Sequence, residues 1–173
     1  DKRPPSARVV EVLEKPEEPA SEIEVIVEEF NLPRRFPREV GEAAKLLSRE
    51  EHDTKLKRRD LRDLPTVTID GEKAKDFDDA VSIALTEHGY RLWVHIADVG
   101  FFVGWDSSID DEARKRGTSV YLADRVIPML PRELSEDLCS LKPKVDRFSF
   151  TVEMDFDRDG ERLGAKYSPR PIR

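Results

Sequence analysis

At 173 residues the chain has room for one ordinary domain, or for one domain with part of a second, and not for two complete ones. Apolar residues make up 38% and charged residues 39%, which permits a thin core under a heavily solvated exterior, and no apolar run nears the roughly 20 residues needed to cross a bilayer. The net charge of −7 argues against a uniformly basic polyanion binder, and the lone Cys139 excludes an intramolecular disulfide, so a soluble, cytoplasmic protein with a buried structural thiol is expected.

The charge is unevenly placed. Residues 34–62 carry 10 basic and 6 acidic side chains, whereas residues 1–30 carry 4 and 9. Composition alone therefore neither selects nor excludes nucleic acid.

In chain order, Arg8-Val9-Val10-Glu11-Val12-Leu13 is β-like and ends at Lys15-Pro16. Ile23, Ile26, Val27 and Phe30 recur at spacings of three and four, which predicts a helix over 17–30 that Pro33 ends. A second helix is predicted over 37–48, with Pro37 in its first turn and Val40, Ala43, Ala44 and Leu47 on one face. The charged run that follows, including 55–59, reads first as a solvated linker and second as a phosphate contact.

From Leu64 onward strands and turns take over. Val67-Thr68-Ile69 is read as a strand leading into a turn at Gly71. Val81, Ile83 and Leu85 alternate, His88-Gly89 turns the chain, and Leu92, Val94 and Ile96 alternate against Trp93 and His95, so an antiparallel hairpin is predicted. Ser107 or Ser108 caps a predicted helix over 109–116, with Gly117 just beyond it. Residues 118–122 are strand-like, 134–141 a short helix, and Phe148, Phe150, Val152, Met154 and Phe156 keep period two up to a turn over 157–160. His95 is read as packed, and His52 and His88 as linker and turn residues. Asp98 is open between supporting the acidic loop and turning the strand end.

The segment Ile69-Asp70-Gly71-Glu72-Lys73-Ala74-Lys75-Asp76-Phe77-Asp78-Asp79 crowds four aspartates into ten residues. Such carboxylates repel unless solvent, protons or a divalent cation separate them. Hard oxygen ligands suit Mg²⁺ or Mn²⁺, while an acidic solvated loop is the plain alternative. A calcium loop fails, because Ala80 and Val81 stand where that pattern needs a ligand and a glycine.

Several blocks in order resemble the RNase R/RNase II (RNB) exoribonuclease family, nearer its RNase R branch. They are Leu61-Arg62-Asp63-Leu64-Pro65, Thr68-Ile69-Asp70-Gly71, Asp76-Phe77-Asp78-Asp79-Ala80, His95-Ile96-Ala97-Asp98-Val99, Gly117-Thr118-Ser119-Val120-Tyr121-Leu122 and Ile127-Pro128-Met129-Leu130-Pro131. Leu134-Ser135 and Leu138-Cys139-Ser140-Leu141 extend the likeness.

The resemblance implies an α+β fold with an antiparallel-rich mixed sheet and flanking helices. It divides the chain into the end of a cold-shock (OB) domain (1–16), a helical, charged linker (17–60) and the N-terminal half of an RNB catalytic domain (61–173). It makes Asp70, Asp76, Asp78 and Asp79 the catalytic, Mg²⁺-holding set, with Mn²⁺ able to substitute. Tyr121 would clamp the terminal base of a single-stranded RNA 3′ end. Where the family shows Ser-His-Tyr, this chain has Gly100-Phe101-Phe102, so Phe102 keeps an aromatic RNA contact without the hydroxyl.

The activity implied is processive 3′→5′ hydrolysis to nucleoside 5′-monophosphates. The family's arginine and glutamate from the second half of the domain, and its S1 domain, have no counterpart before Arg173, so the piece by itself is expected to be inactive. The competing readings are a non-catalytic RNA-binding module built on 1–16 and 34–62, and a metal-binding structural piece. Neither a membrane span nor a lipid partner is expected.

Overall fold

The computed structural model describes residues 19–49 and 58–173. The β-like run at 8–13, the cold-shock remnant at 1–16, His52 and the basic residues Lys55 and Lys57 lie outside the described residues.

Helix α1 (Pro19–Glu29) and helix α2 (Arg38–Leu47) occupy the two predicted stretches. Pro33 does not end α1. Asn31 takes a left-handed conformation (φ 50°), with Leu32 N–H donating to Val27 C=O and Asn31 N–H to Glu28 C=O, a Schellman closure that uses the last carbonyls before the proline is reached. In α2, Val40 and Ala44 are buried and Ala43 and Leu47 pack against the same core, as their spacing predicts.

The main sheet is antiparallel throughout, in the order β1 (Asp79–Leu85), β2 (Gly89–Ala97), β5 (Arg147–Asp157), β6 (Arg162–Ile172). Gly89 at the β1–β2 turn is required by close approach, since a Cβ there would lie 2.2 Å from the Phe156 carbonyl oxygen. The predicted alternation is present, but apart from Phe148, which is buried at the start of β5, its apolar set faces outward. Val81 lies opposite Val94, Val94 opposite Val152 and Val152 opposite Tyr167, and along this face Ile83 is 65% and Leu85 81% exposed.

The covered face is the polar one. Ser82, His95, Ser149, Thr151 and Glu153 are buried on it beside Trp93. They are held by a ladder of hydrogen bonds that runs from Thr66 Oγ1 to Ser82 Oγ (2.8 Å), His95 Nε2 (3.2 Å), and from His95 Nδ1 to Thr151 Oγ1 (2.9 Å) and Ser149 Oγ (3.0 Å). Trp93 Nε1 donates to Glu153 Oε2 (2.9 Å), so these buried groups are satisfied.

Between β2 and β5 the chain forms α3 (Val99–Phe102), α4 (Ser108–Arg116) and a small hairpin of β3 (Val120–Tyr121) and β4 (Val126–Ile127). Ser107 Oγ accepts Asp110 N–H at the start of α4, and Gly117 (φ 75°) ends it. The Arg116 guanidinium stacks 3.7 Å over Phe36 and donates to the carbonyls of Pro33, Arg35 and Pro128, which ties the α1–α2 corner to this hairpin. Ile109, Leu130, Leu134 and Phe102 complete the core with Val40, Ala44 and Trp93.

Three expectations are corrected. Val67-Thr68-Ile69 is not a strand, and only Val67 bridges to Val81. The helix expected over 134–141 is a π-helical turn, Leu134–Leu138, closed by Cys139 N–H donating to Leu134 C=O. The solvated-linker reading fails at its end, where Arg58 pairs with Asp98 (2.8 Å) and lies against the tilted pair Phe101–Phe148, 5.0 Å from each ring.

Candidate active site

The aspartate loop begins with a turn in which Ala74 N–H donates to Gly71 C=O, then runs extended through Asp76 and Asp78 into β1. Ala97 N–H donates to Asp78 C=O (2.9 Å), so the loop's end is joined to the end of β2, beside Asp98. Asp98 in turn holds Arg58, which makes it a supporting residue and not an acid free to face the loop.

Asp78 has its pKa raised, first by shielding from solvent and then by the charges of Asp76, Asp79 and Asp70. The four predicted carboxylates therefore act on one another, although they form no closed cage. Among the described residues, the acids whose oxygens lie within 4.8 Å of one another are Asp106, Asp110 and Asp111, outside the predicted set. The Arg114 guanidinium already pairs with all three at 2.8–3.1 Å, so a fixed cation occupies the place among them and offsets part of their charge. The open arrangement at 70–79 leaves room for water and substrate oxygens beside its carboxylates, as a hard divalent cation requires.

Tyr121 is brought to the loop by the β3–β4 hairpin. Its hydroxyl donates to Asp76 Oδ2 (2.5 Å), and this bond pushes the phenol up to about 12. Tyr121 remains 63% exposed, with surface available for stacking. Phe102 differs from expectation. It is 8% exposed and packs edge-on against Phe101 within the core near Phe148, so its ring fills space and presents no surface to a base.

Two lysines that the sequence reading passed over stand beside Asp76. With Arg125 and Arg132, Lys73 and Lys75 surround an open trough of about 270 Å³ that has Asp76 in its wall. Arg125 is paired with Asp124 and Glu24, whereas Lys73 and Lys75 make no ion pair among the described residues. Their signal was their position inside the acidic segment, where two free cations beside four anions have little structural use. Ser140 was seen only as part of a motif. It proves to be fully buried against the loop.

An RNB domain model matches residues 58–173, and a cold-shock domain model matches residues 1–37. The chain is 49% identical over 164 residues to ribonuclease R of Acidithiobacillus ferrooxidans, covering 94% of this chain and 37% of that protein. To ribonuclease R of Escherichia coli it is 44% identical, covering 92% of this chain and 20% of the relative. The chain thus spans well under half the length of these relatives. Among solved structures, Mycoplasma genitalium RNase R in complex with ribose-methylated single-stranded RNA is similar at a TM-score of 0.84 and 34% identity, over 92% of this chain and 25% of that one. Yeast Ssd1, a pseudonuclease, shares the fold at a TM-score of 0.72 and 19% identity.

Proposed function

Since the chain belongs to the RNB-domain family, we propose that it supplies the metal-holding half of the active centre of a 3′→5′ exoribonuclease acting on single-stranded RNA 3′ ends in the cytoplasm. One observation carries the reading: the exposed Tyr121 ring is hydrogen-bonded through its hydroxyl to Asp76, which sets a stacking surface at the edge of the acidic loop.

Asp70, Asp76, Asp78 and Asp79 are the residues that would hold Mg²⁺, or Mn²⁺ in its place. Bound there, the ion would supply Lewis acidity for the phosphoryl oxygen and lower the pKa of water. Tyr121 offers a face on which any base can stack, a contact tolerant of sequence and worth about 1–3 kcal/mol per base. Lys73 and Lys75 supply positive charge for backbone phosphates beside Asp76. Hydrolysis at the last phosphodiester joins the water oxygen to phosphorus and releases the 3′ oxygen of the preceding nucleotide with a proton. The phosphate then leaves on the 5′ carbon of the terminal nucleotide, as a nucleoside 5′-monophosphate.

The non-catalytic binder is the weaker reading. Much of the basic excess of 34–62 is spent internally: Arg34 pairs with Glu24 and Glu28, Arg38 with Glu42, Arg58 with Asp98 and Arg62 with Asp60 and Asp146. A shared fold does not decide between these readings, because function resides in the site.

The test is Asp78→Asn in the full-length enzyme that carries this chain. Release of 5′-monophosphates from a single-stranded 3′ tail should fall by 100-fold or more, with RNA affinity within about twofold of the parent. Unchanged cleavage would remove the aspartate loop from the chemistry.

A further inference from the structure

We propose that Ser140 is the positioning residue of the aspartate loop, fixing Asp76 by clamping the peptide groups on both sides of it. This rests on the metal-holding reading above and assigns a role to a residue that touches neither ion nor RNA.

The Ser140 side chain is fully buried. Its hydroxyl donates to Lys75 C=O (2.7 Å) and accepts from Phe77 N–H (3.2 Å), while the next residue, Leu141, donates its N–H to Phe77 C=O (2.9 Å). Lys75 and Phe77 are the two neighbours of Asp76, so one hydroxyl uses its single proton on the first and a lone pair on the second. No apolar side chain can do both. Asp76 is left with its carboxylate as the group that reaches outward, toward Tyr121 and the lysine-lined trough.

Ser140 is itself held in place. The π-helical turn at Leu134–Leu138 precedes it, and Ser140 N–H donates to Asp137 C=O (3.0 Å). Arg147 Nε donates to Ser140 C=O (2.9 Å) while its Nη2 pairs with Asp137 (3.0 Å), which anchors the segment to β5. The loop that leads into β1 thus takes its shape from a hydrogen-bonded turn remote in sequence. Residues that orient metal ligands without touching the metal typically change affinity by 10- to 100-fold when removed.

The experiment titrates the 173-residue chain with Mn²⁺, read by electron paramagnetic resonance, in four forms: unaltered, Ser140→Ala, Asp78→Asn and Thr151→Val. Thr151 is equally buried and hydrogen-bonded but belongs to the ladder on the sheet, so its replacement measures general loosening. Expected is a loss of Mn²⁺ affinity of about 10-fold or more in Ser140→Ala, with Thr151→Val lowered in melting temperature but unchanged in affinity. Equal affinity in Ser140→Ala and the unaltered chain overturns the proposal and leaves the metal site standing, as does an equal loss in Thr151→Val. If the unaltered chain binds no better than Asp78→Asn, the metal-holding reading itself fails and takes the proposal with it. Hydrogen exchange of the Phe77 amide in the unaltered chain needs no variant to fold: exchange at the rate of an unprotected loop amide also overturns the clamp.

Discussion

Among the described residues His95 makes its hydrogen bonds to Ser82 and Thr151 and none to the acidic loop, and its chemistry is set by a proton count. The ladder through it is anchored on carbonyls at both ends, since Thr66 Oγ1 donates to Leu64 C=O and Ser149 Oγ to Arg170 C=O. Between those anchors run the links Thr66–Ser82, Ser82–His95, His95–Thr151 and Thr151–Ser149. Four hydroxyl protons and the one N–H of a neutral imidazole serve these six links, so one link goes without a proton. Protonating His95 would complete it, gaining roughly 1 kcal/mol, but burying the cation costs several. Desolvation wins, and the imidazole is held down to about 4.

The unfolded chain's histidine binds its proton near 6.5 and the folded one resists until about 4, so stability is full above pH 6.5 and lost as pH falls through that window. Urea unfolding should register a loss of roughly 2–3 kcal/mol from this group between pH 7 and pH 4. His95→Asn should be less stable at pH 7 and lose less on acidification. A second residue-scale expectation concerns Arg58. A lysine there keeps the charge near Asp98 but lacks the planar guanidinium that reaches both rings of the tilted Phe101–Phe148 pair, so Arg58→Lys should cost about 1–2 kcal/mol in denaturant midpoint measurements.

At the scale of elements, periodicity located α1, α2, the β1–β2 hairpin and β5, because each repeats its side chains at 3.6 or 2.0 residues over enough length to be seen, and end signals located α4. It missed α3, too short to show a period, and it overread 67–69 and 118–122, where β-branched residues sit in extended segments that find little pairing partner. The π-helical turn at 134–138 has no period of its own, although it sets where Ser140 lies. Gly89 is the element-scale test. Gly89→Ala would drive a Cβ into the β5 backbone at Phe156, where no flexible side chain can yield, and should cost more than about 2 kcal/mol in thermal or urea unfolding. A loss below 0.5 kcal/mol would mean that β2 and β5 do not approach as described.

For the whole molecule, the notable property is the sheet's apolar face, which among the described residues lies open across four strands, with Ile83, Leu85, Ile96, Phe150 and Tyr167 all exposed. Contiguous apolar surface of this kind binds hydrophobic dyes and favours association. The isolated 173-residue chain should therefore enhance ANS fluorescence in its folded state, and Ile83→Lys with Leu85→Lys should reduce that signal without lowering the melting temperature. The reverse result, dye binding unchanged and stability lost, would place those side chains in a core.

The sequence by itself determined the elements with sustained period, the α+β class and the acidic loop, because local spacing and motif order carry those, whereas the Tyr121–Asp76 contact came from the tertiary structure. It did not determine which sheet face is covered. Alternation says that two faces differ, and only the strip 58–66 and the helices packed over the polar one say which is buried. Nor could it move Phe102 from an RNA surface into the core, or find Ser140 at the neighbours of Asp76. Those depend on residues dozens of positions apart meeting in space, and a hydrogen bond across 63 residues leaves no period in the chain.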